Sequence, residues 1–60
     1  MTYKLEGVYL LEENDSTFIR IDFLDGLQLT GFDTRINKND SLEEIAKSFY
    51  FFANQIRKLS

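Results

Sequence analysis

The 60-residue sequence predicts an α+β fold, a three-stranded antiparallel β-meander with one C-terminal α-helix packed on one face (β-β-β-α). Three observations predict it. Between residues 3 and 33 apolar side chains recur at alternate positions, the period of a strand; between 41 and 59 they recur every three or four, the period of a helix. Asp25-Gly26 stands between two alternating runs, as a hairpin turn does. No repeat, low-complexity stretch or linker divides the chain, so residues 1–60 are expected to form a single small domain.

The first strand is expected from Tyr3 to Glu12. Its centre, "VYLL", is apolar on both faces, so periodicity leaves its register open, and "ENDS" fits a loop of two residues or three. Depending on that loop, the face away from the helix carries Val8 and Leu10, or else Leu5, Tyr9 and Leu11.

The second and third strands come from "TFIRIDFLDGLQLTGF", where Ile19, Ile21 and Phe23 alternate with Phe18, Arg20 and Asp22. A two-residue Asp25-Gly26 loop would pair Phe23 with Gln28 and Ile21 with Thr30, which spoils the apolar face. A three-residue loop, Leu24-Asp25-Gly26, pairs Phe23 with Leu27, Ile21 with Leu29 and Ile19 with Gly31, and places Gly26 at the left-handed position of the turn. Since a one-residue slip turns every side chain over, the apolar match favours three residues. In that register Phe18 and Phe32 face each other on the outer side, Arg20 pairs with Thr30, Asp22 with Gln28, and Leu24 lies in the turn. The polar segment "DTRINKND", Asp33 to Asp40, is expected to be the connection to the helix, with Ile36 tucked beneath it.

The helix has both end signals. Ser41 and Glu44 fit a Ser-x-x-Glu capping box. Asp40, Glu43 and Glu44 put negative charge at the positive end of its dipole, and Arg57 and Lys58 lie at the other end. Leu42, Ile45, Ala46, Phe49, Phe52, Ala53, Ile56 and Leu59 form one apolar stripe, expected to cover the core. Phe51 falls nearly opposite Phe49, among Lys47, Asn54, Gln55 and Lys58; Tyr50 sits on the flank near Arg57.

Composition narrows the function. A chain this short has a marginal core, and small folds compensate with disulfides, a metal or oligomerisation. There is no cysteine and no histidine, which removes disulfides and ordinary zinc sites. The hydrophobic fraction of 43% is too high for a disordered chain. No apolar run reaches the ~20 residues of a membrane span, and "MTYKLEGVYLLEEN" lacks a signal peptide's apolar core, so a cytoplasmic location is expected. The net charge of −3 argues against nucleic acid or anionic lipid as partner.

No motif supports catalysis. Glycines 7, 26 and 31 make no phosphate loop, and Ser and Thr lack a His or Cys partner. The twelve residues from Asp33 to Glu44 run acid to acid, but Arg35 and Lys38 occupy the third and sixth positions, where an EF-hand needs an oxygen ligand and a glycine. No enzyme activity, cofactor or metal is therefore expected.

What remains is a surplus of apolar side chains. Phe51 with Lys47 and Lys58 around it, the pair Phe18 and Phe32, and Leu24 are the candidate contact residues. A second candidate surface is acidic: Glu12, Glu13, Asp15, Asp40, Glu43 and Glu44, with Asp33, gather at one pole if the helix runs antiparallel to the third strand. Contiguous apolar residues mark an interface. The expectation is a non-enzymatic protein-interaction module, a homodimer that binds and modulates another protein as inhibitor or adaptor. The alternative is an accessory protein that binds nucleic acid or a small ligand through Tyr9, Phe18 and Phe32 on the outer sheet face.

Overall fold

Three long strands and a helix follow one another along the chain: β1 (Lys4–Glu13), β2 (Ser16–Asp25), β3 (Gln28–Asn37) and α1 (Leu42–Arg57). The computed structural model describes residues 2–59. The strands form one antiparallel sheet in the order β1-β2-β3, and α1 packs against it, the expected β-β-β-α architecture.

Both hairpins close with two-residue loops. Glu13 pairs with Ser16 around Asn14-Asp15, and Asp25 with Gln28 around Gly26-Leu27. Each loop begins with a left-handed residue, Asn14 at φ 55° and Gly26 at φ 64°. Asparagine and glycine are the residues that tolerate this conformation best.

The second loop corrects the expected register. The loop is Gly26-Leu27 and not Leu24-Asp25-Gly26, so Phe23 pairs with Thr30, Ile21 with Phe32 and Ile19 with Thr34. Gly26 is left-handed in either arrangement and therefore could not discriminate between them. The length of β3 decides. In the expected register Asp33 and Arg35 would share a face with Ile19 and Ile21. In the observed one Phe32 and Ile36 do, at the cost of leaving Leu27 fully exposed at the turn tip.

Several consequences follow from this shift. Phe18 lies opposite Arg35 and Phe32 opposite Ile21, so the two phenylalanines are on opposite faces and do not form a pair. Arg20 lies opposite Asp33 and Asp22 opposite Gly31, in place of Thr30 and Gln28. Leu24 is a strand residue opposite Leu29, not part of the turn. The segment expected to connect to the helix is strand as far as Asn37, and only residues 38–41 connect.

In β1 an irregularity between Leu5 and Gly7 inserts Glu6 as an extra residue. Such a bulge turns over the side chains that precede it. Leu5 opposite Phe23, Val8 opposite Ile21 and Leu10 opposite Ile19 therefore all share one face, while Tyr9 and Leu11 occupy the other. Of the two expected sets for the outer face, the second holds without Leu5.

The helix begins as its sequence dictates. Glu44 N–H donates to Ser41 Oγ and Ser41 N–H to Glu44 Oε1, both at 3.1 Å, completing the capping box. The connection is tied on both sides: Asn37 N–H donates to Asp40 Oδ2 at 2.9 Å, and Lys38 N–H to the Asp15 carbonyl at 2.6 Å. Asp40 thus holds the turn before the helix. The chain then doubles back, and α1 runs antiparallel to β3, with Thr34 Oγ1 donating to the Ser48 carbonyl at 3.5 Å.

The helix lies against β3 and its backbone approaches neither β1 nor β2. The result is a slab of 39 × 21 × 10 Å with a radius of gyration of 12.9 Å, against about 10 Å for a compact domain of this length. Among the described residues no hydrophobic side chain is buried.

Candidate functional site

The face of the sheet next to the helix collects the apolar residues of all three strands. Leu5, Val8 and Leu10 come from β1, Ile19, Ile21 and Phe23 from β2, and Phe32 and Ile36 from β3. Pairing places them in cross-strand rows, the arrangement that fills a sheet-based core. Here the rows are covered at one side only. The β2 and β3 members are half-buried, whereas Leu5, Val8 and Leu10 are exposed, Leu10 at 72%.

The helix has more apolar surface than β3 can cover. Ile45, Phe52, Ile56 and Leu59 are half-buried, and Ile45 lines a shallow cleft with Thr17 and Ile36. The rest of the predicted stripe, Leu42, Ala46, Phe49 and Ala53, is exposed, with Leu42 at 86% and Phe49 at 45%. Phe49 was expected in the core, and the structure does not put it there. For a right-handed helix antiparallel to β3 over this face, the Leu42–Ala53 flank turns toward β2 and β1. The β1 part of the sheet face and this helix flank are both apolar surface left open to solvent.

This surface is the feature that sequence reasoning missed, because its helical half was read as core. A signal was present. The stripe is about 140° wide on a helical projection, more than contact with one strand can bury.

The opposite face is built differently. Asp22 lies between Gly7 and Gly31 in a cross-strand row and is the one described residue that is buried, at 8%. The glycines make room for the side chains beside it. A Cβ on Gly7 would lie 2.5 Å from the Tyr9 hydroxyl, and one on Gly31 would meet the Asp22 carboxylate and stand 2.8 Å from Arg20 Nη2. Arg20 Nε donates to Asp22 Oδ1 at 2.8 Å and Nη1 to Asp33 Oδ2 at 3.4 Å. Next to this cluster the Arg35 guanidinium lies 5.9 Å from the Phe18 ring centroid. Leu24 is half-buried beside Leu29 on the same face.

The other candidate residues occupy separate places. Phe51 is 63% exposed on the flank turned away from the open sheet, its ring edge-on to Tyr50 at 5.8 Å. It borders a shallow depression with Asn54, Gln55, Arg57 and Lys58, while Lys47 is exposed on the same helix. Glu12 and Asp15 border the cleft that Ile45 closes, so the first hairpin and the helix start do share a pole. Glu13, Glu43 and Glu44 are exposed there, Asp40 is engaged by Asn37, and Asp33 lies away from it, opposite Arg20. Among the described residues no three acidic side chains converge as metal ligands would. No described helix is long and apolar enough to cross a membrane.

Comparison with protein-family models, with curated proteins and with solved structures finds no match.

Proposed function

We propose that this chain is a non-enzymatic interaction module that self-associates and, as a homodimer, binds and modulates another protein. The observation that carries the reading is a folded chain without a single buried hydrophobic side chain among its described residues. A folded monomer of 7.1 kDa exposes about 4,100 Å², and this one exposes 4908 Å². The excess, about 800 Å², is what one partner contributes to a standard protein–protein interface. Self-association removes that excess and supplies the core that one copy lacks.

The remaining surfaces are then available to a second protein. Phe51 with Lys47 and Lys58 lies on the helix side away from the exposed apolar flank, and Phe18 and Leu24 lie on the far side of the sheet. The acidic pole of Glu12, Glu13, Asp15, Glu43 and Glu44 adds a surface suited to a basic partner. Three of the hydroxyls have structural partners: Ser16 donates to Asn37, Thr34 to the Ser48 carbonyl, and Ser41 caps the helix. Nucleic-acid binding through the outer face is the weaker reading. Phe32 lies on the other face, and the Arg20 charge is taken up by Asp22 and Asp33.

Sedimentation equilibrium at micromolar concentration tests the central claim. A mass of twice the chain supports it; a folded monomer, by mass and circular dichroism together, overturns it.

A further inference from the structure

The geometry points to the way two copies join: through the free edge of β1, strand to strand and antiparallel, so that two three-stranded sheets become one of six. This rests on the self-association proposed above and specifies its surface. In β1 every residue but Gly7 is exposed, whereas in β2 only Arg20 is. The exposure falls on both faces of β1: Leu5, Val8 and Leu10 on the helix side, Tyr9 at 51% and Leu11 at 59% on the far side. A contact laid on either face reaches only one of these sets. A contact along the edge reaches both, because a neighbouring strand sets side chains beside them above and below the sheet. Apolar residues on both faces are the pattern of a strand inside a sheet, and "VYLL" carries it at an edge.

The two edges of the sheet differ. At β3 the strand contains Asp33 and Arg35, and α1 packs against it; charge and a covering helix are what protect an edge. Between Gly7 and Leu11, β1 has neither charge nor proline, and its bulge at Glu6 lies near its start.

The register follows from the strand itself. β1 is regular from Gly7, where the bulge ends, to Glu13, where the turn begins, and its midpoint is Leu10. The pair flanking a two-residue hairpin loop is hydrogen-bonded, so Glu13, Leu11 and Tyr9 turn their N–H and C=O toward β2. Those of Glu12, Leu10 and Val8 point to the free edge. A two-fold axis through Leu10, normal to the sheet, opposes Leu10 to its own copy, Tyr9 to Leu11 and Val8 to Glu12. Each pair stays on its own face, the outward groups bond one another, and no glutamate faces another. The same patch then meets itself, as an isologous interface requires. Glu13 falls opposite Gly7, where the Tyr9 hydroxyl lies and can donate to it. Moving the axis to Tyr9 would set Glu6 opposite Glu12, and like charges directly opposed are unfavourable. Moving it to Leu11 would run Val8 into the turn. Both helices remain on one face, with their Leu42–Ala53 flanks turned toward each other across the joined strands. Leu29, on β3, lies outside the contact.

Cysteine cross-linking tests the register, because the native chain has no cysteine. Tyr9→Cys and Leu11→Cys chains are unfolded together, refolded as a mixture and oxidised. Opposed residues of this kind stand about 4.5 Å apart between Cα atoms, within reach of a disulfide. The expected product is the mixed disulfide in clear excess over either self-linked species. Self-linked Tyr9→Cys in place of the mixed pair overturns the axis at Leu10. Hydrogen exchange on the unmodified protein tests the edge without any substitution. The Val8, Leu10 and Glu12 amides should slow at least about tenfold between dilute and dimeric protein. A dimer in which those amides exchange as fast as in the monomer refutes edge pairing and leaves self-association standing. A chain that sediments as a folded monomer refutes both.

Discussion

The two faces of the sheet solve the problem of alternate side chains in opposite ways. On the far face the polar residues are finished. Asp22 lies in a trough between Gly7 and Gly31, held by Arg20, and Arg35 covers Phe18. Local pairs satisfy one another there, within one chain. On the helix side the apolar residues are unfinished. Ile21, Phe32 and Val8 form a row that the helix covers at the β3 end and leaves open at the β1 end. Polar groups can be satisfied by one or two neighbours at hydrogen-bond distance, whereas apolar burial needs a whole opposing surface. A chain of this size supplies the first and runs short of the second.

Substitutions on the two faces should therefore differ in kind. The largest effect is expected from Leu10→Lys, which puts a charge on the open half of the helix-side face. Two leucines per dimer lose their burial, about 4 kcal/mol together, so the dimer should dissociate at least a thousandfold more readily. Sedimentation equilibrium reads this directly, and an unchanged dimer constant would show that the open half is not the contact. On the proposed self-association, the thermal midpoint of the unsubstituted protein should rise with protein concentration.

On the far face, Gly31→Ala should cost about 1–3 kcal/mol, because a methyl group there meets the Asp22 carboxylate and stands 3.1 Å from the Ile21 carbonyl. Chemical denaturation measures it, extrapolated to one protein concentration, and the dimer mass should be unaffected. Gly7→Ala offers a control within the same trough: the group it meets is the far end of the Tyr9 ring, which can swing away, so its cost should be the smaller of the two.

A smaller loss, about 1 kcal/mol, is expected for Ser41→Ala, which removes the acceptor for Glu44 N–H and half of the capping box. It should lower the denaturation midpoint without changing which surfaces meet. The smallest effect belongs to Phe51→Ser. Phe51 is exposed and lies on the flank turned away from the open sheet, so stability should move by no more than about 0.5 kcal/mol and self-association not at all. If Phe51→Ser dissociates the dimer, the helix flanks have exchanged roles, and the comparison between the two faces no longer describes the contact.

The sequence alone determined those features that depend on neighbours within a few residues. The alternation in β2, the left-handed glycine at position 26 and the Ser41–Glu44 box each act locally, and each stands where the pattern put it. Only the tertiary structure decided the rest. Gly26 fits either loop, and the register came from the far end of β3, where Phe32 and Ile36 had to share a face with Ile19 and Ile21. The bulge at Glu6 followed from packing Leu5 on the same side as Val8, a choice that "VYLL" could not express. The division of the helix stripe into a half facing β3 and a half facing nothing depends on where the helix lies across the sheet. That position is a sum over many weak contacts between distant segments, and no short stretch of sequence encodes it.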